Sequence, residues 1–403
     1  MEIFGMAFGF ILGFLSSVIP GLNSNTIASV ILRLDLDHMT SAAAIAAMAA
    51  SHSVFGFIPA IFFFIPDPET VISVLPGHRL LMKGRGAYAL TICAFSSMAA
   101  IATAIILLPI SYFLLPFLYS LFEPHMLAIL SVACLFLLAS ERKVNSVALA
   151  TGIFLLSGAL GLFALQTPIL RDPLLPVFCG MFAVSGILLS FREGTGIPKQ
   201  VEERIDVPMS YLPYIFTGVV LGMLSDLFPG ISTPAQIAVF ASVFLYLNAP
   251  KFLALVSSIA ISHSLFALVA TASIGKARTG SAVAIRELIG VSGVEQTMWL
   301  VGISILSVSL AVIVLLLLAK RMPNLISNAP TLEIGVLVLV YLSLIVFIFD
   351  GPFGLLVMGT GAAIGVIPPI IGVRRTHLMG AILVPSLVSL AGLSGNFLSL
   401  VLG

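Results

Sequence analysis

Charge is what this chain has least of. Of 403 residues only 9 % are Asp, Glu, Lys or Arg, and the 18 basic and 17 acidic side chains leave a net charge of +1. Such a balance offers no electrostatic footprint for nucleic acid. The three cysteines, Cys93, Cys134 and Cys179, lie in apolar runs without the paired spacing of a metal or redox site. They are expected to be plain core or lipid-facing residues. No nucleotide-binding loop, metal-ligand spacing or nucleophile arrangement occurs, so the chain is expected to be no enzyme. It is expected to carry no cofactor beyond a bound sodium ion or a transported proton. The alternating pattern of an outer-membrane barrel is missing as well. The first 32 residues show no basic leader and no small-residue cleavage site, and are not expected to be a removable signal.

Long apolar runs fill the chain instead. Hydrophobic residues make up 60 % of it, which implies a polytopic helical membrane protein. Spans are expected at 4–32, 40–66, 87–115, 124–140, 146–166 and 174–191. A second set is expected from Tyr211 onward, at 251–273, 296–319, 332–349, 352–372 and 378–402. That gives roughly 11–13 crossings on the length of a bilayer-spanning helix. The stretch from Pro66 to Gly86 is too broken to span and too apolar for an open loop, so a re-entrant or interfacial segment is expected. The longest hydrophilic run, Phe191 to Ser210, is expected to link two halves.

Within the apolar sequence a polar, helix-breaking stretch occurs twice. GFLSSVIPGLNSNTIASVI carries Pro20 and Gly21; GMLSDLFPGISTPAQIAVF carries Pro229 and Gly230. Gly13, Ser16 and Pro20 align with Gly222, Ser225 and Pro229 at one constant offset. AASHSVFGF around His52 matches AISHSLFAL around His263, and a basic, Gly-containing segment follows each. Two pieces in the same order imply internal duplication. The expected fold is therefore an all-α membrane protein of two homologous, inverted repeats with broken or re-entrant helices. The expected division is 1–123 and 211–323 as transport repeats, 124–210 as connecting helices and linker, and 324–403 as C-terminal helices. Inversion rests on charge: Lys320-Arg321 ends the second repeat, whereas Ser111 to Glu123 holds no Lys or Arg.

Backbone freed by Pro-Gly in a bilayer must be satisfied by protein or by water in a cavity. Matched broken helices in two halves point to a transporter's binding site. A proline kink, with Ser and Thr bonding their own helix, accounts for one copy more readily than for two. Asn23, Ser24, Asn25 and Thr26 follow the first break; Ser232, Thr233 and Gln236 follow the second. Where these residues open a half-helix, its N–H groups face the break and favour a carboxylate or phosphate. Asp226, three residues before Pro229, is a candidate for coupling a proton or sodium ion or for contacting substrate. An acid bonded to backbone at a helix break is the plainer alternative. Its repeat partner is Ser17. His52 and His263, each flanked by serines, suit a proton relay or an anion contact, or simply an interhelical hydrogen bond. Asp350-Gly351-Pro352 and Pro368-Pro369 are expected to be structural turns at helix ends.

Gly13 to Asn23 and the segment PDPETVISVLPGHRLLMKGRGAYAL from Pro66 to Leu90 resemble the large permease subunit of tripartite tricarboxylate transporters, the TctA family. The motif Gly222 to Gly230 is similar as well. The chain is shorter than typical members, lacks their Gly-rich run after Pro-Gly, and adds Asp226. The resemblance implies ion-coupled secondary transport of small organic anions, di- or tricarboxylates, across the cytoplasmic membrane. It also implies a small membrane subunit and an extracytoplasmic binding protein as partners. A looser resemblance links SDLFPGIS to polyprenyl-phosphate lipid translocases, in which the same cradle would hold a lipid phosphate.

Overall fold

The computed structural model describes residues 1–18, 24–63, 70, 73–141, 143–193, 198–201, 207–228, 234, 237–238, 241, 245, 247–326 and 331–393. All regular structure among them is helical, and seven helices are long and apolar enough to cross a membrane. The chain is a multi-pass, all-α membrane protein.

Two helices form the centre. Helix α3 (His38–Phe55) and helix α12 (Ala249–Ile274) are enclosed by other helices and almost entirely buried. Both start on an Asx cap. Asp37 accepts from Thr40 N at 2.9 Å and Asn248 accepts from Lys251 N at 3.1 Å, each the same number of residues before its histidine. The cap satisfies an orphan N–H that the first turn cannot pair internally. Burial on all sides also explains why these helices carry so many serines: only helices shielded from lipid hold polar groups cheaply.

The elements around them correspond in pairs. Helix α1 (Glu2–Val18) packs on α3, and α11 (Leu212–Leu224) packs on α12. Helix α6 (Gly86–Phe122) packs on α12, while α14 (Val294–Ile326) packs on α3. Short helix α5 (Val74–Leu81) meets α12, and short helix α13 (Gly280–Ile289) meets α3. Each long closing helix therefore lies on the other half's histidine helix, and α6 and α14 also touch each other. Helix α4 (Phe57–Phe62) continues α3 past Gly56, and α2 (Ser24–Ile31) follows the first break. Glycines allow the closest approaches. A methyl on Gly13 would overlap Ser51 Oγ and lie 2.5 Å from Met48 O; one on Gly222 would overlap Ser262 Oγ and lie 2.7 Å from Ile259 O. This is small-residue packing between membrane helices.

The segment expected to be re-entrant holds α5, whose eight residues rise about 12 Å and do not cross a bilayer. In the hydrophilic run expected to link two halves, residues 198–201 are held by the turn between α5 and the helix that starts at Gly86. Val201 N donates to Gly84 O at 2.8 Å, Gly86 N donates to Gln200 Oε1 at 2.9 Å, and Gln200 Nε2 donates to Leu81 O at 3.1 Å. Gly84 turns at φ 75°, which favours glycine.

A second bundle lies beside the first. It combines α7 (Met126–Ala139), α8 (Val144–Gln166), α9 (Leu174–Phe178), the π-turn Cys179–Val184 and α10 (Ser185–Glu193) with α15 (Thr331–Ile371) and α16 (Gly380–Leu390). Among the described residues the extensive helix packing stays inside each bundle. The bundles join through the turn Glu123–His125 and thin contacts such as Phe63 against the cluster around Cys179. Helix α15 bends at Gly351, φ 65°, so the two expected spans 332–349 and 352–372 form one kinked element. Asp350 Oδ1 accepts from Arg171 N at 2.7 Å and Asp172 N at 3.0 Å, which fixes the α8–α9 turn at that bend. Pro368 and Pro369 lie inside the last turns of α15, which ends at Ile371, rather than in a turn beyond it.

Candidate functional site

At the first break α1 stops at Val18 and α2 starts at Ser24. Ser24, Asn25 and Thr26 are the first residues of α2, Ser24–Ile31. Pro20, Gly21 and Asn23 lie outside the described residues. Asn25 rests against Gly280, the first residue of α13; a methyl at 280 would overlap Asn25 Oδ1. The first break thus touches a helix of the second half.

At the second break α11 tightens into a 3-10 turn, Ser225–Leu227, and Phe228 is extended. The Phe228 ring lies 5.7 Å from the Phe122 ring at the end of α6. Pro229, Gly230, Ser232, Thr233 and Gln236 lie outside the described residues.

The two histidines face these breaks from the central helices, and their neighbours differ. His52, 1 % exposed, places Nδ1 2.8 Å from Ser16 Oγ, which also donates to Gly13 O at 3.1 Å. A serine hydroxyl that donates to the carbonyl and accepts from Nδ1–H satisfies both contacts. In the second half Ser225 Oγ likewise donates to Gly222 O, at 2.6 Å. There, however, His263 faces a carboxylate: its Nε2 lies 3.5 Å from Asp226 Oδ1. Asp226 is 1 % exposed, and neither of its carboxylate oxygens accepts a hydrogen bond among the described residues. A buried carboxylate without donors is costly unless a proton, a cation or a charged neighbour neutralises it.

Two contacts were beyond sequence reasoning. Ser16 was visible only as part of an aligned repeat, with nothing to single it out as the partner of His52. Arg278 stood in a basic segment after the second histidine helix; the fold returns it to the break, where Nε donates to Asp226 O at 2.6 Å. The same link is closed by Gly275, φ 71°, and by Thr279, whose Oγ1 accepts from Ala282 N at 3.1 Å to cap α13. The structure therefore groups Asp226, His263, Arg278, Gly280 and Asn25, and places His52, on the other central helix, against Ser16 of α1.

A model of the Tripartite tricarboxylate transporter TctA family matches residues 3–380. The chain is similar to Uncharacterized protein MJ1079 of Methanocaldococcus jannaschii, 25 % identical over 355 residues that cover 84 % of this chain and 85 % of the relative. No solved structure matches.

Proposed function

Because the chain belongs to the tripartite tricarboxylate transporter TctA family, we propose that it is a secondary-active permease for small organic anions, di- or tricarboxylates. A proton or sodium gradient drives it by alternating access in the cytoplasmic membrane. A small membrane subunit and an extracytoplasmic binding protein complete the system. The two halves are inverted repeats whose breaks frame the substrate: Pro20, Gly21, Asn23, Ser24, Asn25 and Thr26 on one side, Pro229, Gly230, Ser232, Thr233 and Gln236 on the other. The matched packing of α1 on α3 and α11 on α12 supports the duplication.

The observation that carries the coupling is Asp226, a buried carboxylate with no hydrogen-bond donor among the described residues and His263 at 3.5 Å. A transported cation that neutralises it would remove the cost of burying its charge. His263 shares that role directly, and His52 supports the equivalent position in the first half.

The stretch SDLFPGIS keeps a lipid-phosphate translocase as the competing reading. Thermal stabilisation of the purified protein by citrate, succinate and a short polyprenyl phosphate separates the two. Binding to the folded state at 100 times the dissociation constant adds about 2.7 kcal/mol, a measurable shift. Stabilisation by carboxylates alone is expected; stabilisation by the polyprenyl phosphate alone would overturn the permease.

A further inference from the structure

The cations of the transport bundle differ in what holds them. Arg286 Nη1 donates to Gly275 O and closes the α12–α13 link. The Arg85 guanidinium stacks 4.2 Å over the Tyr88 ring, and Lys251 sits 4.9 Å over Tyr214. Each of these has a structural employment. Arg278 has only its Nε bond to Asp226 O, and no carboxylate pairs with it among the described residues. It is half-buried, in a protein where an ionisable group inside the helices calls for a partner.

Its position joins the 3-10 turn after α11 to the start of α2. Asp226, whose carbonyl it holds, ends the helix before Pro229; Gly280, two residues on, carries Asn25 from the helix after Pro20 and Gly21. Between them lies the N-terminus of α13, capped by Thr279, with the Thr279 and Ser281 hydroxyls 3.2 Å apart. A guanidinium has five N–H donors in a rigid fork. With Nε committed to a carbonyl, the Nη edge remains to meet the two oxygens of a carboxylate, the geometry an arginine matches best.

We propose that Arg278 is the residue that recognises a carboxylate of the transported anion, in a site between the end of α11, Asn25 of α2 and the start of α13. The Asp226 carbonyl orients its fork, and Asn25 and the first turn of α13 line the same place. This assignment rests on the carboxylate-permease reading above.

Titration of citrate into the purified full-length protein tests it, with Arg278→Gln, Arg278→Lys and Arg286→Gln as variants. Arg278→Gln is expected to weaken citrate binding about 10–100-fold, the effect of losing charge-assisted hydrogen bonds. Arg278→Lys keeps the charge without the fork and is expected to fall between that variant and the wild type. Arg286→Gln, in the same basic segment, is expected to bind citrate as the wild type does. Wild-type affinity in Arg278→Gln would overturn the assignment. Should that variant not fold, wild-type affinity in a folded Arg278→Lys would overturn the bidentate fork on which the assignment depends. Failure of the wild type to bind citrate or any other carboxylate is a different outcome: it removes the permease reading itself, and Arg278 with it.

Discussion

The bundle around α3 and α12, where we propose transport occurs, and the bundle beside it are assembled by the same device but filled differently. Both bring helices together through glycines. Gly13 and Gly222 sit against α3 and α12, while Gly161 and Gly380 seat α16 against α8 and Gly180 and Gly365 seat α15 against the π-turn. The polar groups separate them. In the flanking bundle the buried acid and histidine each keep a partner: Asp350 Oδ1 accepts from two backbone N–H groups, and Glu141 Oε1 accepts from Arg374 N at 3.2 Å and lies 3.0 Å from His377 Nε2. In the transport bundle His52, His263 and Asp226 are buried beside the breaks, and Asp226 lacks donors among the described residues. Glycine stripes therefore mark close packing in either place. Asp350 has one carboxylate oxygen bonded, whereas neither oxygen of Asp226 accepts a hydrogen bond among the described residues.

Substituting the glycines should erase the difference between the bundles. Gly222→Val and Gly161→Val each put side-chain atoms onto a facing helix, at Ser262 and Ile259 in one case and at the Ala381 carbonyl in the other. Overpacking of this kind costs about 3 kcal/mol, and both variants should give little folded protein by size-exclusion and thermal melting. A well-folded Gly222→Val would show that α11 and α12 tolerate separation at this contact, contrary to their close packing.

Removing an acid that already has backbone donors should restore the difference. Asp350→Ala leaves two backbone N–H groups without their acceptor at the α15 bend. It should lower stability by about 1–3 kcal/mol yet leave the dependence of uptake on the ion gradient intact. Glu141→Ala should behave alike and somewhat more mildly, since Glu141 is 10 % exposed. Loss of gradient dependence in either variant would mean that the flanking bundle takes part in coupling.

The smallest effect concerns the cap of α3. The hydrogen bonds from Thr40 hold the Asp37 carboxyl below its ordinary range. A depressed folded value gives stability that is present above the unfolded value and lost as pH falls through the folded one. Acid should therefore remove a small contribution, and Asp37→Asn, which can still cap, should flatten that slope in a melting profile below pH 5. Asn248 caps α12 without a titrating group, so Asn248→Ala should lower stability equally at all pH values.

Much of the transport bundle was legible in the sequence because its signals are local. The repeated Pro-Gly stretches and the serine-flanked histidines could be aligned by eye, and Gly13 and Gly222 do meet the same atoms of their partner helices. The contacts that give those residues neighbours were not legible. Nothing in the sequence says that His52 meets Ser16 through Nδ1 while His263 turns Nε2 to Asp226, or that Arg278 folds back to a carbonyl 52 residues away. The flanking bundle was hidden for another reason. The helices of that bundle carry apolar residues on most sides, and in lipid an apolar surface does not reveal whether it meets a tail or a helix. The linker's grip on the α5–α6 turn depends on Gln200, an unremarked amide in a hydrophilic run.

The most direct test of the account is citrate uptake into proteoliposomes by wild type and Asp226→Asn, with and without proton and sodium gradients. The asparagine keeps the backbone carbonyl that holds Arg278 and removes only the charge beside His263. The account predicts that the variant folds, still binds citrate, and no longer accumulates it when a gradient is applied. Accumulation in the variant that follows the gradient as the wild type does would contradict it.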